Sequence, residues 1–222
     1  INVGVIGVGG RGTYVAREAL AAALESDDLL AEDVTARLQG NGVQFDVVQY
    51  EMSQVDALAH AARLGDLVIV SRSSGLAGDL ALACSSPVLA MPASGKISLP
   101  LDRACLAWDG GNEAANALRC AVPLLAGCGE VTVLSVARDA PKGFPPTEAL
   151  RYLSRHGIRA ELTELALDAS VEETLAGAVA ERGGQLLVMG AYGHGRIREF
   201  LFGGVTRFFL EEGSAPPLLL AH

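Results

Sequence analysis

The chain has 222 residues, of which 50% are hydrophobic and 19% charged, and a formal net charge of -9 at pH 7. That length can bury a sizeable core in one large domain or two small ones, and the acidic balance argues against nucleic acid, because neutralising phosphates needs clustered Lys and Arg. No run approaches the roughly 18 unbroken apolar residues of a membrane helix, and the start lacks the basic flank and cleavage site of a signal peptide, so no membrane partner and a cytoplasmic location are expected.

In chain order, residues 2–6 read as a strand that runs into Gly7-Val8-Gly9-Gly10-Arg11-Gly12, a match to G-x-G-x-x-G. A dinucleotide-binding unit needs another strand soon after the first helix, with an acidic residue at its end about 20 residues past the glycines. Asp27, Asp28 and Asp33 stand at that distance but in a polar, helix-like stretch. A plain glycine-rich loop after a strand is therefore the preferred reading. Gly40-Asn41-Gly42 leads into a strand over 43–49, a helix over 54–64, a strand over 66–70 and an apolar closing strand over 87–91. The segment 93–100, rich in Ser, Gly and Pro, reads as a linker.

From Arg103 onward, strands at 104–107, 131–136, 160–166, 185–189 and 217–221 alternate with helices at 113–125, 146–156, 171–182 and 196–211. Such alternation predicts a parallel sheet with helices on both faces. Ser170 with Glu173 forms a capping box, and Gly157, Gly183 and Gly213 follow helices as stop signals. Cys84, Cys105, Cys120 and Cys128 show no C-x-x-C spacing and read as buried thiols, with metal or redox chemistry the lesser alternative.

The first half repeats the end of this pattern, and the strand over 2–6 aligns with 131–136, the second strand of the later copy. The first copy then lacks a central strand and helix, so residues are expected to precede Ile1. The expected architecture is two α/β units, 1–92 and 99–222, each a parallel sheet flanked by helices. They pack as an intramolecular pseudo-dimer with the closing strands near the contact, since both are too apolar for open edges; a homodimer is a further option.

The chemically informative stretch runs from Met189 to Thr206, leaving a strand, turning on glycines and restarting a helix after Gly203-Gly204. Glycines at a strand's carboxyl end let backbone N–H groups approach a phosphate, and a restarting helix points its unpaired N–H groups at the same place. The spacing G-x2-G-x9-G in Gly190, Gly193 and Gly203, with Trp108-Asp109-Gly110 ending the unit's first strand, resembles the universal stress protein family in its tandem two-domain form. The resemblance covers the whole chain, more strongly over 103–222 than over 1–91.

That resemblance implies flavodoxin-like, adenine-nucleotide-hydrolase-like units with ATP across the carboxyl ends of the strands. Ala107, Trp108 and Asp109 would meet the nucleoside, with Val136 and Met189 beside it, and Gly190, Gly193, Gly203, Gly204, Val205 and Thr206 would surround the ribose and phosphates. Gly204 stands where the family carries Ser or Thr, so ATP binding, with Mg2+ accompanying it, is expected to be weak. The plainer reading of Asp109-Gly110-Gly111 is a turn feeding a helix, with Asn112 as N-cap. His194 reads as solvent-facing or as a phosphate contact, Arg196 and Arg198 as helix decoration or polyphosphate screens, and Tyr192, Phe200 and Phe202 as packing residues.

The first half has no equivalent glycine spacing, and Asp79 would set a negative charge where phosphates would sit, so that half reads as a pseudo-site. No Ser-His-Asp set, metal cluster or Walker lysine is visible, and His194 and Glu199 are the only candidate bases near the loop, so no catalytic residue is assigned and at most slow ATP hydrolysis is expected. The leading reading is a nucleotide-binding regulatory module of the stress response. The alternatives are a nucleotide-free interaction protein, whose closing strand over 217–221 pairs with a partner, and an NAD-dependent oxidoreductase.

Overall fold

The computed structural model describes residues 48, 50, 52–93, 96–137, 143–192 and 204–222. The glycine run Gly7–Gly12, the strand expected before it, most of the strand expected over 43–49, and the question of what pairs beside them lie outside the described residues. No described helix is long and apolar enough to cross a membrane.

The described elements are α1 (Gln54–Ala61), β1 (Val68–Ser71), α2 (Ala77–Ala83), β2 (Val88–Met91), β3 (Arg103–Ala107), α3 (Asn112–Leu125), β4 (Glu130–Val136), α4 (Pro146–Arg155), β5 (Ala160–Leu165), α5 (Val171–Glu181), β6 (Leu187–Gly190), α6 (Gly204–Glu211) and β7 (Leu218–Ala221). Local chemistry sets several ends. Ser53 accepts from Asp56 N–H and Ser170 from Glu173 N–H, each at 3.2 Å, so both hydroxyls cap their helices. Gly157 and Gly183 take left-handed φ of 72° and 59° just past α4 and α5, as stop signals require. The N-cap of α3 is Gly111, with Asn112 already in the first helical turn, which corrects the expected cap by one residue. β6 starts two residues later than its apolar run suggests, although Gln185 N–H still donates to Arg103 O at 2.9 Å and its side chain accepts the Asp102 N–H at 2.7 Å.

The strands form one sheet in the order β1-β2-β7-β6-β3-β4-β5. Every pairing is parallel except β2 with β7, where Val88 faces Leu220, Leu89 faces Leu219 and Ala90 faces Leu218. Separate sheets for the two halves were expected; instead the closing strands hydrogen-bond edge to edge and one sheet runs through both. Leu89 and Leu219 hold the same place in their closing strands and lie opposite each other, which is the register that a twofold axis between two like strands produces. β7 has β6 on one side and β2 on the other, so its apolar edge is closed.

The core divides between the two faces of the sheet. On one face Leu58 of α1, Leu80 of α2, Val179 of α5 and Phe209 of α6 gather, and on the other Leu118 and Leu125 of α3 join Leu153 of α4. This is a doubly wound, flavodoxin-like arrangement. The four cysteines are free thiols. Cys105 is buried as expected, whereas Cys84, Cys120 and Cys128 are half-buried, and burial pushes the pKa of each upward, that of Cys105 to about 11.

Arg72 ties the halves together beyond the strand seam. It leaves the end of β1 and reaches the turn between α6 and β7, where Nη1 donates to Glu212 O at 2.6 Å and Nη2 to Ala215 O at 2.9 Å and also to Pro216 O. A fork of charged donors serving three carbonyls is a geometry that a lysine cannot copy. Arg72→Met is expected to lower stability by about 2–3 kcal/mol, because the carbonyls keep their burial and lose their donor. Urea unfolding checks this, with Arg72→Lys recovering less than half of the loss.

Candidate functional site

From β3 the chain steps outward through β4 to β5 and then returns to place β6 on the other flank of β3. The connections from β3 and β6 therefore diverge to opposite faces, and a crevice opens at the carboxyl ends of the strands where the order reverses. A pocket of about 770 Å³ occupies that crevice. Ala107, Trp108 and Asp109 line it beyond β3, Leu134, Ser135 and Val136 at the end of β4, Met189, Gly190 and Tyr192 around the end of β6, and Gly204, Val205 and Thr206 at the start of α6. Glu113 and Ala114 of α3, Glu164 of β5, Val171 and Leu175 of α5, and residues 143–146 complete the wall.

The sequence-derived residues Ala107, Trp108, Asp109, Val136, Met189, Gly190, Gly204, Val205 and Thr206 thus come together around one cavity. Gly193 and Gly203 lie outside the described residues, as do His194, Arg196, Arg198, Glu199, Phe200 and Phe202. Nothing in the glycine spacing indicates the segment Gly143-Phe144-Pro145, which also lines the pocket. Its main chain locks onto the turn after β3, with Phe144 N–H donating to Gly110 O at 3.0 Å and Trp108 Nε1–H to Phe144 O at 2.9 Å. Gly110, at φ 80°, has no room for a side chain, since a Cβ would lie 2.7 Å from Phe144 O. The sequence signal was the glycine before Phe144-Pro145-Pro146, opening the helix, but no local pattern says where such a loop docks.

Several residues do more structural work than the sequence assigned to them. Trp108 is 6% exposed and its indole N–H is committed to Phe144, so it offers the pocket an apolar wall. Asp109 Oδ1 accepts the Gly111 N–H at 2.9 Å, the turn-forming bond that sets up the entry to α3. At Gly190 a Cβ would stand 2.6 Å from Ala114 N and from the Glu113 carbonyl carbon. Its missing side chain is demanded by the close packing of β6 on the first turn of α3, whatever binds nearby.

The N–H groups just past Gly190 are not free for an anion. Ala191 N–H donates to Ala221 O at 2.8 Å and Tyr192 N–H to Thr206 Oγ1 at 3.4 Å. Thr206 is buried and holds Tyr192, a non-glycine residue at φ 58°, in place. Burial, aided by the charge of Asp79, pushes the Tyr192 phenol up to about 12, so it stays protonated. The charged side chains among the described lining residues are Asp109, Glu113 and Glu164, all acidic. No group of three or more His, Cys, Asp or Glu among the described residues is placed to hold a metal ion.

No family model and no curated protein matches the chain. Solved structures do. A universal stress protein from Archaeoglobus fulgidus DSM 4304 superposes with a TM-score of 0.64 at 15% identity, over 89% of this chain and 80% of its own. A protein from Pseudomonas aeruginosa UCBPP-PA14, proposed to be a universal stress protein, gives 0.61 at 14% identity over 90% and 80%. A functionally unknown protein from Pseudomonas aeruginosa PAO1 gives 0.60 at 13% identity over 90% and 79%. The chain therefore has the fold of the universal stress proteins.

The two glycines at the ends of the pocket should respond differently to a side chain. Gly190→Ala is expected to cost at least about 1–3 kcal/mol, because backbone atoms of α3 must move. Gly204→Ser, where the nearest atom to a Cβ among the described residues is Glu172 Oε1 at 3.9 Å, should change stability by no more than about 0.5 kcal/mol. Thermal unfolding of the two variants measures both.

Proposed function

We propose that the chain is a tandem universal stress protein that binds an adenine nucleotide in the second-half pocket and acts as a regulatory module of the stress response. The observation that carries the reading is the convergence of Asp109, Val136, Met189, Gly190, Gly204, Val205 and Thr206 on one crevice at the strand reversal. Ala107, Val136 and Met189 supply an apolar bed for a base, and Asp109 an acceptor for a nucleoside N–H or hydroxyl. The start of α6 supplies the positive end of a helix dipole. A volume of about 770 Å³ suits a ligand of that size.

The tandem division into 1–92 and 99–222 is supported by the self-matching register of the two closing strands. One site per chain is proposed, because the segment after β1 enters a short 3-10 turn at Arg72–Ser74 and then α2, and Arg72 is spent on the turn before β7. The partner-strand alternative loses its footing, since the edge it needs is already filled by β2.

Calorimetry and thermal shift with AMP, ATP and NAD test the proposal. Binding of AMP or ATP at one site per chain, and none of NAD, is expected; a ligand at ten times its Kd adds about 1.4 kcal/mol of stability. Asp109→Ala should abolish the shift, and Gly204→Ser should tighten the phosphate-bearing ligands by about tenfold through one added hydroxyl donor. A shift with NAD alone, or two sites per chain, contradicts the proposal.

A further inference from the structure

The run Gly143-Phe144-Pro145-Pro146 carries an aromatic ring on a stiff main chain. A residue before proline is confined to extended backbone, and Pro145, at φ -62° and ψ 147°, continues that form into Pro146, the first residue of α4. On the other side Gly143 takes φ 104° and lies against Gly110, where a Cβ would overlap Gly110 O, so the two turns meet backbone to backbone. Phe144 N–H donates to Gly110 O at 3.0 Å, and Phe144 O accepts from Trp108 Nε1–H at 2.9 Å. Both main-chain groups of Phe144 are thus tied to the residues on either side of Asp109.

The ring has a different place from the backbone that carries it. Phe144 is 66% exposed, so the ring is not buried in the core, yet it lines the crevice together with Ala107, Asp109, Val136 and Met189. A phenyl face in water is stabilised by a flat apolar group that displaces that water, and a nucleobase is such a group. The main chain under the ring is already ordered by folding, so a ligand meets a formed surface and does not have to order it.

Resting on the adenine-nucleotide reading of this pocket, we infer that Phe144 is the residue that recognises the base, by stacking its ring on the base over the apolar bed of Ala107, Val136 and Met189. The pocket then selects ligands that carry a flat aromatic base. The two hydrogen bonds to Trp108 and Gly110 hold the ring beside the Asp109 carboxylate, so stacking and polar recognition act on the same end of the ligand.

The test is calorimetry of the full chain with adenosine, on the wild type and on Phe144→Ala, Phe144→Leu and Phe144→Tyr, with the melting temperature of each ligand-free protein. All three changes keep the main-chain N–H and C=O that dock the loop, and the ligand-free melting temperatures are expected to stay unchanged. Phe144→Ala is expected to weaken adenosine by at least about fivefold, and Phe144→Leu, which keeps apolar bulk without a flat face, by at least about threefold. Phe144→Tyr should stay within about twofold of the wild type. An alanine variant that binds as tightly as the wild type overturns the role of Phe144 and leaves the reading of the pocket in place. A leucine variant that matches the wild type overturns stacking. Equal losses in all three variants overturn it as well, because damage to the loop, and not the ring, would then set the affinity. If the wild type does not bind adenosine, the adenine reading of the pocket falls, and the inference falls with it.

Discussion

The antiparallel pairing of β7 with β2 is the constraint on which the rest of the molecule depends. Leu218, Leu219, Leu220 and Ala221 are all buried, and without β2 their strand would be the apolar edge of the second-half sheet. Leu218 and Leu220 pack into the core on one face of the sheet and Leu219 into the core on the other, while pairing with β2 gives the outer backbone edge of the same strand its hydrogen-bond partners. With β7 held from both sides, β6 is fixed between β7 and β3, and Gly190 is set opposite Ala221. The floor of the pocket thus inherits its position from the junction of the two halves.

Two side chains extend that junction in opposite directions. Arg72 runs from the first half into the turn before β7, and Tyr192 from the second half packs its hydroxyl against Gly78 of α2, a position where a Cβ would overlap it. Tyr192 is also the residue whose N–H is held by Thr206 at the start of α6.

Local rules made much of the second half legible. Alternating apolar runs and amphipathic stretches are properties of neighbouring residues, so β3 to β7 and α3 to α5 fall within a residue or two of their expected places, and Ser170 caps α5 as its spacing with Glu173 indicates. Contacts between distant backbones were not legible. Nothing near Gly143 says that it will meet Gly110, and nothing in Ser71-Arg72-Ser73 says that its guanidinium will satisfy carbonyls some 140 positions away. The glycine spacing picked residues that do share one cavity, but it could not separate a glycine needed by a ligand from one needed by a neighbour. Gly190 is of the second kind, since its limit is the first turn of α3.

The crevice between β3 and β6 is proposed as the place where this protein holds the nucleoside part of its ligand. A crystal structure of the chain grown with adenosine tests it most directly. The account predicts the base lying on Ala107, Val136 and Met189, with a ring or ribose polar group on the Asp109 carboxylate. Adenosine bound elsewhere on the chain, with this crevice holding only water, would contradict it.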